Sequence, residues 1–180
     1  MPKTSHALLA AAALTAALSG PVAVADAALP HFTRTTIVPG KSIAGVALGD
    51  SAAKARTAWG RLGGACDETV CDYRIAGDSS GQHGYGLFAF TPKITRVELR
   101  TAIGARGYLF RRPFTIPRTD KGIGIGSTVA AVRKAYPKAK LADDGSMLIL
   151  RGRGRVETYF DWADEKRISA ITIDVVSADD

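Results

Sequence analysis

Histidine, cysteine and the amide side chains are scarce in this sequence. Its 180 residues include three His, two Cys and one Gln, and there is no Asn. Two cysteines are too few for a zinc site built on four thiolates, so we expect no metal site. We also expect no cofactor. His31 lies near the expected start of the mature chain, and His83 lies in a glycine-rich stretch. Because a histidine base must be held rigidly beside its nucleophile, these positions argue against an enzyme.

A long hydrophobic run occurs once, at the N-terminus. Residues 7–18 follow Lys3 and form a run of roughly a dozen residues, shorter than the ~20 apolar residues of a membrane-spanning helix. Residues 23–25 have the small-x-small pattern of a signal-peptide cleavage site, so residues 1–25 are predicted to be a secretory signal peptide. We therefore expect a secreted, extracytoplasmic protein whose mature chain has no transmembrane segment.

The cysteines lie close together in the sequence, at Cys66 and Cys71. An exported chain meets oxidising conditions. A hairpin brings such residues within the ~5.5 Å between Cα atoms that a disulfide requires. We expect a structural disulfide that stabilises a local turn, since the loop it closes is short.

Basic residues outnumber acidic ones, and the excess is concentrated in the middle of the chain. The formal net charge is +7, and residues 93–155 contain 15 Lys or Arg against 4 Asp or Glu. Such a segment can attract a polyanion of the cell envelope. The solvated surface of a basic protein explains the same count more simply. We expect no specific nucleic acid partner.

One sixteen-residue pattern occurs twice without a gap. Residues 45–60 read GVALGDSAAKARTAWG, and residues 122–137, 77 positions later, read GIGIGSTVAAVRKAYP. A fixed offset of this kind is the signature of a duplicated structural unit. The glycines suit a tight turn into a helix, and either polar residue of Asp50-Ser51 or of Ser127-Thr128 can cap that helix. A phosphate-binding loop is disfavoured, because the lysine of a P-loop is missing.

Each copy is expected to contain a helix followed by strands. Apolar residues recur at helical spacing over residues 52–59 and 129–136, which predicts two short helices with one buried face each. Alternating apolar residues predict three strands after each helix. These strands are residues 71–75, 85–91 and 94–99 in the first copy and 147–150, 155–160 and 168–175 in the second.

The predicted fold class is α+β, with two tandem repeats that each combine a short helix with a three- to four-stranded antiparallel sheet. One repeat alone would bury a thin core, whereas two can share a sheet or pack helix to sheet. The expected segments are a signal peptide at 1–25, an N-terminal extension at 26–40, a first repeat at 41–105, a connector at 106–120 and a second repeat at 121–180.

This organisation resembles the β-lactamase inhibitory proteins and the small envelope lipoproteins of the outer-membrane barrel-assembly machinery. The shared features are a glycine turn, a polar cap and an amphipathic helix in each unit, and a cysteine pair in the first. The matching residues are Val46, Leu48, Gly49, Asp50, Ser51, Gly60, Cys66 and Cys71 in the first unit, and Gly126, Ser127, Thr128, Val129, Val132 and Tyr136 in the second. The second unit has no cysteine pair, and no lipidation cysteine is present. The resemblance implies an exported two-unit protein, with inhibition of a β-lactamase as a function found in the family.

The expected function is non-catalytic binding to an unknown extracellular or envelope protein through an open sheet face. The candidate contact residues are Tyr85, Phe88, Arg111, Arg112, Arg151, Arg153 and Arg155. Aromatic residues on such strands belong more often to the core than to a contact surface, although strand geometry directs some of them outward. If residues 151–155 are extended, their three arginines lie on one face. If the segment is a turn, the arginines are solvated. The alternatives are an envelope polyanion-binding protein that uses the five arginines, and a hydrolase with an unrecognised site.

Overall fold

The structure is a computed structural model that describes residues 32, 34–60, 64–77, 83–101, 103–104, 107–108, 117–162 and 166–176. The expected signal peptide at 1–25 lies outside these residues. Within them, the chain forms two helices and fourteen strands. In chain order the elements are β1 (Thr36–Val38), β2 (Ser42–Ile43), β3 (Val46–Ala47), α1 (Ala52–Trp59), β4 (Gly64–Cys66), β5 (Val70–Gly77), β6 (His83–Phe90), β7 (Ile94–Arg100), β8 (Ile103–Gly104), β9 (Gly107–Tyr108), β10 (Arg118–Thr119), α2 (Val129–Ala135), β11 (Lys140–Leu141), β12 (Met147–Arg151), β13 (Val156–Trp162) and β14 (Ile168–Val175).

The predicted α+β class is confirmed, and most of the regular structure is strand. The largest sheet, called the main sheet below, has the strand order β11-β12-β13-β14-β7-β6-β5-β4 among the described residues. Every pair in it is antiparallel. Four strands of this sheet follow each helix in the chain, β4–β7 after α1 and β11–β14 after α2, and the last strand of each group lies at the centre. The two expected groups of strands are therefore joined in one continuous sheet.

The centre of the main sheet is the pairing of β7 with β14. In its register, Glu98 faces Thr172, Arg96 faces Asp174 and Arg100 faces Ala170. The two groups of strands approach this pairing in the same order from opposite edges. The strand order is therefore two-fold symmetric about the Glu98–Thr172 pair.

A smaller sheet has the order β10-β1-β2-β3. Its β1–β10 pair is parallel, and it joins the segment expected as an N-terminal extension to the segment expected as a connector. The turn after β1 reaches the main sheet, where the backbone N–H of Gly40 donates to Thr158 Oγ1 at 2.7 Å. Both segments thus contribute strands to the fold.

The turns that lead into the two helices have the same local conformation. Gly49 and Gly126 have φ angles of 80° and 82°, in the left-handed region that glycine adopts without strain. The N–H of Gly49 donates to the carbonyl of Ile94 at 2.8 Å, and the N–H of Gly126 donates to that of Ile168 at the same distance. Each helix is therefore attached to the first residue of a central strand.

The helix bounds follow the predicted caps closely. Ser51 accepts a hydrogen bond from the N–H of Lys54, and Thr128 accepts one from the N–H of Ala131, so these two residues are the N-caps. Helix α1 ends at Trp59 as expected, and α2 ends one residue before the expected position. Neither helix of the described part of the chain has the length and hydropathy needed to cross a membrane.

The helices cover one side of the main sheet, which we call the inner face. Trp59 of α1 is fully buried there, with its ring 5.5 Å from that of Tyr73 and 5.8 Å from that of Phe88. Tyr136, directly after α2, stacks on Phe160 at 5.6 Å. One aromatic residue at the end of each helix therefore anchors it to the sheet.

The expected disulfide is present. Cys66 of β4 and Cys71 of β5 lie directly opposite each other, with their Cα atoms 4.1 Å apart. The bridge links an edge strand to its neighbour, which is the local role predicted for a short loop.

Candidate functional site

The candidate site lies on the outer face of the main sheet, the side opposite to the helices. Because side chains alternate along a strand, Arg96, Glu98 and Arg100 of β7 all point to this face. Their partners on β14 are Asp174, Thr172 and Ala170, and the next strand adds Glu157, Tyr159 and Asp161. Charged side chains therefore gather at the centre of the sheet.

Glu98 is the centre of this group. Its carboxylate accepts hydrogen bonds from Arg96 Nη2 and Arg100 Nε, each at 2.8 Å. The side chain of Glu98 is 4% exposed, whereas those of Arg96 and Arg100 are 44% and 40% exposed. Burial raises the pKa of Glu98, but the hydrogen bonds and charges of the two arginines outweigh it and hold that pKa below its ordinary value. The buried carboxylate thus holds both guanidinium groups at the surface.

A second set of contacts orders the neighbouring strands. The hydroxyl of Tyr159 donates to Glu157 Oε2, and Arg151 Nε donates to Glu157 Oε1, both at 2.9 Å. Burial, followed by the hydrogen bond to Glu157, raises the pKa of Tyr159 to about 12. Tyr159 therefore stays a neutral donor with its ring fixed on the outer face.

A shallow pocket of about 230 Å³ opens beside these contacts. It crosses strands β12, β13, β14 and β7, and Thr172 on the central strand β14 lies between its two sides. The lining residues are Arg96, Arg100, Met147, Tyr159, Asp161, Thr172 and Asp174. The pocket therefore combines apolar surface with charges of both signs at the centre of the main sheet.

Asp161 differs from the other acidic residues of the pocket. Its side chain is half-buried, and within the described residues its carboxylate has neither a hydrogen bond nor an ion pair. Burial raises the pKa of Asp161, and this effect is only partly offset by the charge of Arg100. The pairing register shifts between Asp161 and Trp162, which is the irregularity that re-aims side chains at the end of a strand. Among the described residues, the pocket therefore contains a carboxylate that makes no hydrogen bond or ion pair.

The two aromatic residues expected at a binding surface have different outcomes. Phe88 is 0% exposed and packs in the core against Trp59, so its assignment as a contact residue was wrong. Its position on β6 points to the inner face, as do its neighbours Cys71 and Val97 across the sheet. The structure does not describe the side chain of Tyr85. Residues Arg111 and Arg112 also lie outside the described part of the chain.

The three arginines at 151–155 do not form one extended face. Strand β12 ends at Arg151, and the chain then turns, with the N–H of Gly152 donating to the carbonyl of Val156 at 2.7 Å and Gly154 at a φ angle of 69°. Arg151 pairs with Glu157 on the next strand, while Arg153 and Arg155 are exposed in the hairpin. Of the two alternatives, the structure has the turn, which the glycines make possible, and Arg153 and Arg155 are exposed in it.

Apart from Arg151, the residues that gather on the outer face were missed by sequence reasoning. The expected strand at 94–99 was recognised by its apolar positions, which point inward. Its other positions hold Arg96, Glu98 and, one step further, Arg100. A basic–acidic–basic alternation on the solvent side of a predicted strand was the available signal. Asp161 and Asp174 offered none, because only the register brings them beside β7.

Among the residues that the structure describes, no group of three or more His, Cys, Asp or Glu side chains is placed to hold a metal ion. Asp144 accepts hydrogen bonds from the N–H and hydroxyl of Ser146, so its carboxylate stabilises the turn before β12. The backbone of His83 begins β6, and its side chain lies outside the described part.

A scan against protein-family models, a search of curated proteins and a search of solved structures each found no match for this chain.

Proposed function

We propose that this chain is an exported, non-enzymatic protein that binds another protein through the outer face of the main sheet. The observation that carries this proposal is the set of pre-arranged side chains at the centre of that face. Arg96 and Arg100 are held by Glu98, and half-buried Tyr159 and Met147 lie beside them. Arg, Tyr and Met are the residue types enriched at protein interfaces.

Pre-arrangement lowers the cost of association. Immobilising a flexible side chain on binding costs about 0.5–1.5 kcal/mol. The two arginines on β7 are already tied to Glu98, and Tyr159 is already tied to Glu157. Part of this ordering is therefore completed during folding, and a partner meets groups that are in position.

The dimensions of the face favour a protein over a small molecule. Strands about 4.8 Å apart give a sheet of this order a width of roughly 34 Å. The pocket of about 230 Å³ is smaller than the roughly 300–1,000 Å³ typical of sites that enclose a drug-sized ligand. A broad face with a shallow depression suits a protein surface with a protruding side chain.

The charge on the outer face gives less support to the polyanion alternative. Its centre holds Arg96, Arg100 and Arg151, and also four carboxylates: Glu98, Glu157, Asp161 and Asp174. Arg153 and Arg155 are exposed in their hairpin, so a polyanion would have to bind there. The hydrolase alternative gains no supporting observation from the described residues.

The proposal also includes export of the protein from the cytoplasm and the origin of its two halves by duplication of one unit. The signal-like N-terminus and the Cys66–Cys71 disulfide support an oxidising, extracytoplasmic location. The matched turns at Gly49 and Gly126 and the matched order of the two strand groups support descent from one duplicated unit. The resemblance to β-lactamase inhibitory proteins supports a protein partner and makes β-lactamases one class to test.

Site-specific photo-crosslinking tests the proposal. A benzoylphenylalanine is placed at Ile149 or Leu87 on the outer face, and at Lys134 on the exposed side of α2 as the matched control. Each variant is irradiated with envelope extract and culture medium of the producing organism, and with purified β-lactamases. We expect discrete protein adducts from the outer-face positions only, and they should persist in 0.5 M salt, where contacts to a polyanion weaken strongly. Adducts from Lys134 alone would refute the proposed face.

A further inference from the structure

We propose that the outer-face pocket receives a lysine or arginine side chain of the partner protein, with Asp161 as its counter-charge. This inference rests on the proposed function and adds the chemistry of the partner's central contact. It is carried by the residues that line the pocket and by the pairing of the charges around it.

The volume and the lining residues of the pocket suit one long side chain. Thr172 lies between its two sides, and Ala170, which separates Asp161 from Arg100 in the register, is a small residue. Met147 and Tyr159 supply apolar surface along one side, next to Asp161. Long basic side chains bury their aliphatic part against apolar surface while the charged end meets a polar group. The arrangement of apolar side and terminal carboxylate matches that need.

The existing ion pairs decide the sign of the guest. Arg96 and Arg100 both donate to Glu98 at 2.8 Å, and Arg96 also lies 3.7 Å from Asp174. An anion would have to compete with these contacts, because Arg96 Nε, which has no partner among the described residues, is buried from solvent. Asp161 has no such contact within the described residues. A cation can therefore pair with its carboxylate without breaking an existing ion pair. The three carboxylates at 98, 161 and 174 also outnumber the two arginines, although the whole chain carries a net charge of +7.

The state of Asp161 in the unbound protein supports the same conclusion. The groups that act on it are Arg100, Glu98 and Arg96 of β7 and Asp144 of the turn before β12. Burial exceeds their combined effect and raises the pKa of Asp161 above its ordinary value. A carboxylate partly removed from water without a partner is costly, and an incoming guanidinium or ammonium group relieves that cost.

The test uses n-butylguanidinium and n-butylammonium chloride as probes for the two side chains, and n-butanol as the uncharged control. Amide chemical shifts of the whole mature protein are followed during titration. We expect shifts centred on Met147, Tyr159, Asp161 and Thr172 for the cations and none for n-butanol. Asp161→Asn should weaken binding at least tenfold, while Asp72→Asn, an exposed carboxylate elsewhere on the outer face, should leave it unchanged.

The wild-type shift map is informative even if Asp161→Asn fails to fold, because cation shifts that centre outside the pocket would overturn the inference. Crosslinking from Ile149 separates the inference from the proposed function. If Asp161→Asn abolishes cation binding and also reduces the adduct at least tenfold, a basic side chain of the partner is the guest. If the adduct forms equally well with Asp161→Asn, the face binds a protein but the pocket does not receive a cation. If cations bind the pocket and no adduct forms from any outer-face position, the proposed function fails.

Discussion

The inner and outer faces of the main sheet are built from alternate residues of the same strands, yet they differ in almost every property. On β7, Val97 and Leu99 are fully buried beneath the helices. At the alternate positions, Arg96 and Arg100 are 44% and 40% exposed on either side of the buried carboxylate of Glu98. The inner side chains contact only other parts of the core, so their role is stability. The outer face keeps ordered charges in contact with solvent, and that is where a partner can be recognised.

The outer face contains a further contrast between two carboxylates. Glu98 is the more deeply buried, but two arginines satisfy it and its pKa is lowered. Asp161 is less buried, has no partner within the described residues, and its pKa is raised. Burial alone therefore does not decide whether an acidic residue stabilises this fold, since the partner decides it.

The largest expected effect comes from breaking the inner face at Trp59. This side chain is fully buried, contacts the rings of Tyr73 and Phe88, and donates from Nε1 to the carbonyl of Ile43 at 3.3 Å. Trp59→Ala should lower the free energy of unfolding by about 3–5 kcal/mol. Urea denaturation measures it. Ile149→Ala, on the outer face, is the control and should cost about 1 kcal/mol or less, because Ile149 is only half-buried. Equal losses would contradict the division between the faces.

The next effect comes from neutralising Glu98. Glu98→Gln leaves Arg96 and Arg100 without their charged acceptor and should lower the free energy of unfolding by about 1–3 kcal/mol. The lower part of that range applies because both arginines are partly exposed and solvent screens their charge. Glu157→Gln, whose partner Arg151 is 78% exposed, should cost less than about 1 kcal/mol in the same urea experiment.

The glycine turns that attach the helices to the sheet give a third comparison. A Cβ at Gly49 or Gly126 would meet no atom within 4 Å, so only the φ angles of 80° and 82° oppose a side chain. Gly49→Ala and Gly126→Ala should each cost about 1–2 kcal/mol. Similar losses in urea denaturation would show that both helices depend on equivalent turns. A loss at one position only would show that the two halves are unlike in energy.

The smallest effect is the pH dependence of the two contrasted carboxylates. The lowered pKa of Glu98 gives stability that is present above its unfolded pKa, near 4.5, and is lost as the pH falls through the folded pKa. The raised pKa of Asp161 has the opposite sign, because protonation on acidification removes a cost. Asp161→Asn should therefore keep or slightly raise the melting temperature at pH 7.

Thermal unfolding between pH 7 and pH 3 measures this difference. Any advantage of Asp161→Asn should shrink as the pH falls through the folded pKa of Asp161 toward 3.8. Glu98→Gln should lose less stability than the wild type on the same acidification. The variant lacks the Glu98 carboxylate, whose protonation destabilises the wild type. Parallel profiles for the wild type and both variants would contradict the contrast.

Local features of the fold were predictable from the sequence. The helix at Ala52–Trp59, the caps at Ser51 and Thr128, and the disulfide between Cys66 and Cys71 depend on residues close together in the chain. The central strands were recognised from their alternating apolar residues. The small sheet was not predicted as a unit, because its strands are two or three residues long and its β1–β10 pair joins distant segments.

By itself, the sequence determined where the chain turns, caps its helices and alternates between buried and exposed side chains, because glycine conformation, capping and strand periodicity act within a few residues. Only the tertiary structure decided that β7 and β14 pair at the centre of one sheet and that Asp161 lies across Ala170 from Arg100. Register between distant strands depends on packing the whole inner face at once. The pocket on the outer face follows from that register and from no single segment.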